Sequence, residues 1–236
     1  MANDELQIQP VNSQVRYRAT SAPPSYGLFT ADVAGVLAGR LAEACRLSSR
    51  DLVFNQATAS NSYLVFRQFV AAGGVDLAQF SYLDVSIGLD ISEVCFVNPR
   101  NAATAKEQLI KIWKPVMEVV HPTLTEHFFD IQVHGRPIDA DANEFMDRLV
   151  PTRGPGNLKV LARGVSTTFE YPTAGANTQV AVQNSLLVAG GLFVTLSYSL
   201  TKRVADVSSL EALFDSTIDV YRNLPPAMQI AIREQA

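Results

Sequence analysis

Cysteine, histidine, tryptophan and concentrated charge are all scarce in this chain of 236 residues, and each scarcity closes off a class of explanation. Two cysteines, Cys45 and Cys95, supply neither a disulfide framework nor a zinc pattern. Nothing beside either in sequence would lower a thiol pKa, so both are expected to be packing residues rather than nucleophiles. Lys and Arg number 19 against 23 Asp and Glu, with no long block of one sign, which argues against a general attraction to nucleic acid or an anionic membrane. No run approaches the roughly 18 apolar residues that a membrane helix needs, and "MANDELQIQPVNSQ" lacks the basic start and apolar stretch of a secretion signal. A cytoplasmic protein without a membrane partner is the expectation. The phosphate loop, G-x-G-x-x-G, G-x-S-x-G, H-E-x-x-H and C-x-x-C are all missing, so no cofactor and no metal site is expected. "RGPGNLK", residues 153–159, comes nearest to an anion-binding loop, but a turn between helix and strand explains it better.

What is present is a composition of 47% hydrophobic and 18% charged residues, enough to bury a sizeable core. "SQVRYRATS" alternates as a strand. A helix follows from near Thr30, with Val33, Val36, Leu37, Leu41 and Cys45 at helical spacing. "DLVFNQA", "NSYLVFRQF", "SYLDVSIG" and "ISEVCFV" read as strands, and "NPRNAATAKEQLIKIWKPVMEVV" as a helix with Pro115 as its kink. The pattern then starts again. "EHFFDIQVHG" is a strand and "DANEFMDRLV" a short helix; "NLKVLARG", "VSTTFEY", "TQVAVQNSLLVAG" and "GLFVTLSYSL" are strands, and "VSSLEALFDSTIDVYRNL" is a closing helix. Ser208 and Glu211 have the spacing of a capping box at its start.

Residues 13–120 and 125–223 thus share one element order, β-α-β4-α, between an N-terminal tail at 1–12 and a short C-terminal helix at 224–236. This is the plan of a tandem α+β protein whose antiparallel sheets carry helices packed on one face. In topology alone it is similar to the TATA-binding fold. None of that family's recognition residues is matched here, so the likeness implies a saddle and no function.

The stretch "HPTLTEHFFDIQVHGRPID", residues 121–139, holds all three histidines together with Glu126, Asp130 and Asp139. Histidine beside a carboxylate is the usual equipment of acid-base and metal sites. Strand alternation separates them, however. His127, Phe129, Ile131 and Val133 are expected to face the helices, with Asp130, Gln132 and His134 facing away. His127 and His134 therefore cannot share a metal, and Asp130 and His134, on one face, stand about 13 Å apart along the strand. Asp130 and His134 remain the candidates for acid-base chemistry. Arg16 and Arg18, with Arg67 from a neighbouring strand, are the candidates for a small basic patch on the polar face, beside Gln132 and His134, although a solvated sheet face accounts for them without a partner. These five are the candidate contact residues.

Three functions fit these constraints. The first, favoured by the missing catalytic motifs, is a non-catalytic binding or assembly protein that uses the polar sheet face or a helical surface to meet a protein partner or another copy of itself. A nucleic-acid binder using the saddle is the alternative, against which net acidity counts. A small-molecule enzyme or carrier with a pocket between sheet and helices is the third.

Overall fold

In the computed structural model of the chain, residues 5–47, 53–54, 62–71, 81–150, 163–171, 176–227 and 229–233 are described. Long alternating segments pair into one sheet of ten strands: β1 (Leu6–Ser21), β2 (Val53–Phe54), β3 (Ser62–Ala71), β4 (Ser81–Gly88), β5 (Ile91–Val97), β6 (Leu124–Pro137), β7 (Gly164–Tyr171), β8 (Ala176–Asn184), β9 (Leu192–Val204) and β10 (Ile230–Ile232). The order across the sheet is β2-β3-β4-β5-β1-β6-β9-β8-β7, antiparallel throughout, with β10 added to β1 in parallel. The helices are α1 (Ala31–Cys45), α2 (Ala102–Val120), α3 (Ala142–Leu149) and α4 (Val207–Ala227). The fold is therefore a mixed α+β one, an open antiparallel sheet flanked by helices. No helix among the described residues is long and apolar enough to cross a membrane.

Alternation decides which side of the sheet becomes core. Tyr17, Leu83, Val85, Val94, Phe96, Phe129, Leu196 and Tyr198 are all nearly inaccessible, and they pack against Leu37 and Leu41 of α1, Trp113 and Val116 of α2, and Leu213 and Phe214 of α4. Phe145 and Met146 of α3 cover a smaller cluster with Ile8, Val182, Leu192, Val194 and Ile230 on the same side. Burying side chains of this kind contributes about 1.5–3 kcal/mol each, which is what fixes the strand register face by face. Aromatic contact is densest at the centre. Tyr17 stacks on Phe129 at 4.6 Å and meets Trp113 and Phe214 edge-on at 5.0 and 4.8 Å.

Several boundaries differ from the sequence expectation. Residues 6–12 are not a tail: Leu6 and Ile8 are buried, and β1 pairs from its first residue with β10 and from Ile8 with β6. Pro10, which has no amide to donate, sits at a register shift before Asn12, and this break in the ladder disguised the strand. Nor do the described residues of 224–236 form a separate short helix. α4 runs on to Ala227, and residues 230–232 form β10, with Ile230 buried. The cap of α4 is Asp206 rather than Ser208: its Oδ1 accepts from the Ser209 amide at 2.8 Å and the Ser208 hydroxyl at 2.6 Å. These bonds to the charged form lower the Asp206 pKa to about 2. Asn101 and Asp141 cap α2 and α3 in the same way, at 2.9 and 2.6 Å. The expected loop at 153–159 and most of the expected strand at 157–164 lie outside the described residues.

β1 and β6 approach so closely at one end that only glycine fits. A Cβ on Gly135 would stand 2.2 Å from Ile8 Cγ2 and 2.8 Å from the Gln9 carbonyl oxygen.

Candidate binding face of the sheet

The opposite side of the same strands carries the candidate residues, and the register sets them in rows. One row reads Arg67, Asp84, Cys95, Arg16, Asp130, Ser197, Gln179 and Thr168 across the sheet. A second runs Ser86, Glu93, Arg18, Phe128, Ser199 and Asn177. The expected basic patch is thereby divided. Arg67 is held by Asp84 through two hydrogen bonds of 2.5 and 2.8 Å and lies 4.6 Å over the Tyr82 ring. Arg16 has its Nε 3.4 Å from Glu93 Oε1. Arg18, which is exposed, lies 4.9 Å over the Phe128 ring and makes no hydrogen bond or ion pair among the described residues.

The histidines separate as strand parity requires. His121 is the exposed left-handed C-cap of α2. His127 is 2% exposed on the helix side, with Nε2 2.7 Å from the Lys202 carbonyl and Nδ1 2.7 Å from the Tyr17 hydroxyl. A carbonyl can only accept, so Nε2 carries the proton and the Tyr17 hydroxyl donates to Nδ1. Burial pushes the His127 pKa down and the Tyr17 pKa well up, which keeps both neutral.

His134 lies half-buried on the open side, stacked on Phe193 at 4.2 Å. Its Nδ1 is 2.9 Å from Ser185 Oγ, in the turn between β8 and β9. Ser185 Oγ also accepts from the amides of Leu187 and Val188, at 3.2 and 2.9 Å, so its own proton goes to His134. With both lone pairs of Oγ engaged, this serine is poorly disposed to attack a substrate. Asp130, 9% exposed, accepts from Gln132 Nε2 at 2.7 Å and Ser197 Oγ at 3.1 Å. Asp130 and His134 share a face but are engaged by different partners.

Sequence reasoning missed Ser185, because it reaches His134 from a hairpin fifty-one positions away. It also passed over Phe128, although the alternation that placed Asp130 outward places Phe128 there too. Phe128 and Arg18 line a depression of about 240 Å³ at one end of the open side, together with Thr20, Glu126, Asn177 and Ser199. His127 and Leu200, both nearly buried, also border it.

Both thiols are buried, and burial raises each pKa to about 11, which keeps them protonated. No group of three or more His, Cys, Asp or Glu side chains among the described residues could hold a metal ion. No protein family, curated protein or solved structure matches the chain.

Proposed function

We propose that this chain is a non-catalytic binding or assembly protein that meets a protein partner, or a second copy of itself, through the open face of its sheet. Arg16, Arg18, Arg67, Gln132 and His134 are the contact residues of that reading. The observation that carries it is the character of the face: the described helices all cover the other side, while this side presents Arg-on-aromatic and His-on-aromatic pairs among hydroxyls and amides. Planar, amphipathic groups of this kind are those enriched at protein interfaces. The engagement of Asp130 and of Ser185 by neighbouring donors supports a binding role over acid-base or nucleophilic chemistry. For the small-molecule enzyme, His127 would be the working group of a pocket between sheet and helices, and both of its ring nitrogens are engaged.

Nucleic acid is the weaker alternative, because affinity for a phosphate backbone draws on several free cations and Arg16 and Arg67 already face Glu93 and Asp84. We read the strand order as a tandem pair of β-α-β4-α units. The paths outward from the centre support this in part: β1, β5, β4, β3, β2 on one side, and β6, β9, β8, β7 on the other, one strand fewer among the described residues, which leave out most of the expected strand at 157–164. The same order supports the topological likeness to the TATA-binding saddle. Two buried free thiols fit a reducing, cytoplasmic setting.

Sedimentation equilibrium of the wild type and of the Arg67→Glu/Phe193→Glu double variant tests the docking reading. A multi-chain mass that falls to one chain in the variant supports self-association. If the wild type is a single chain, affinity capture from the native extract should recover a protein that the variant loses. A single-chain mass with no such face-dependent partner overturns the proposal, and salt-sensitive binding of a random DNA or RNA duplex to the open face would favour the alternative.

A further inference from the structure

The depression at the end of the open face contains two opposite charges that do not meet. Among the described residues, Arg18 has only the Phe128 ring beneath it, and the carboxylate of Glu126 has one long contact, from Thr20 Oγ1 at 3.4 Å. The register explains the separation. Arg18 pairs with Phe128 and Thr20 pairs with Glu126, so the two charged residues occupy one diagonal of a four-residue square whose other corners are an aromatic ring and a hydroxyl. Both line the same depression of about 240 Å³. Among the described residues no ion pair joins the two, although both line the depression.

We propose that this pocket binds a small zwitterion of the α-amino-acid type, with its carboxylate on the Arg18 guanidinium and its ammonium on Glu126. The planar guanidinium fork matches a carboxylate in bidentate geometry. A doubly charged phosphate would be brought against Glu126, and a simple amine against Arg18, whereas a ligand carrying both charges a few ångströms apart satisfies both walls at once. Size selects the same class. Pockets for drug-sized ligands span about 300–1,000 Å³, and this one falls below that range. Asn177 of β8 and Ser199 of β9 also line the depression and offer further polar groups to the ligand. The site shares Arg18 with the proposed docking face, but its test reads small-molecule binding and does not depend on that reading.

Calorimetric titration of the full chain with L-alanine, L-serine, L-glutamine and L-phenylalanine, each compared with its N-acetyl and carboxamide derivatives, tests the assignment. At least one free amino acid should bind with a dissociation constant on the order of 0.1–1 mM, as suits a few-atom ligand on exposed charges. Blocking either its amine or its carboxylate should weaken binding tenfold or more. Arg18→Gln and Glu126→Gln should each remove binding while leaving the circular dichroism spectrum and melting temperature unchanged, since both side chains are exposed. Binding by none of the four amino acids overturns the proposal. So does equal binding of an N-acetyl derivative, which would mark a simple anion site, or unaltered binding by either folded variant.

Discussion

His127 and His134 sit on one strand and face opposite ways, and the contrast between them separates the two sides of this molecule. His127 is buried and stacked against Tyr17, with both ring nitrogens committed to partners. His134 rests against Phe193 and accepts a hydrogen bond from a serine in a turn, half-buried on the open side. The same side chain is thus a structural tie on one face and part of an accessible polar surface on the other. A residue's chemistry in a sheet is decided by its parity before it is decided by its type.

The contrast is broken most severely by charge. His127→Asp would place an unpaired carboxylate among the aromatic side chains of the centre, and should destabilise the fold by about 3 kcal/mol or more; a urea unfolding curve measures it. Tyr17→Phe removes the donor to His127 Nδ1 and leaves a buried acceptor unmet, at about 1–3 kcal/mol by the same measurement.

Acidification should discriminate between the two rings. Burial lowers both pKa values from 6.5, so below about pH 6.5 the unfolded chain binds more protons than the folded one. Stability is therefore full above that pH and falls as the pH drops. His127→Gln should remove more of this slope than His134→Gln, because His127 is the more deeply buried. Melting temperatures recorded across that range for the three proteins are the check.

Least affected should be His134→Ala. It forfeits a ring stack and one hydrogen bond at a half-exposed position, which amounts to about 1 kcal/mol or less. A loss matching that of His127→Asp would contradict the assignment of faces.

The alternation of β6 was legible because one face of that strand is buried from His127 to Gly135, and the apolar stripe of α2 because Leu109, Ile112 and Val116 are all buried in the core. Where burial is local, the pattern breaks down. Pro10 interrupts the alternation of β1 at a register shift, and β10 is three residues long, too short to show a period. The α4 cap was misplaced because Asp206 and Ser208 both satisfy the rule for capping residues, and only the geometry separates them. Of the candidate site, the side of the sheet was readable from parity. The pairing of Arg16 with Glu93, of Arg67 with Asp84 and of His134 with Ser185 depends on strand order and hairpin shape, which no local stretch records.

Modification of the native protein by diethylpyrocarbonate, with each histidine followed by mass spectrometry, tests the division of the sheet most directly. His121, exposed at the end of α2, serves as the internal standard. The account predicts that His134, half-exposed on the open side, is modified while His127 stays protected for as long as the fold is intact. Reaction of His127 at the rate of His121 would contradict it.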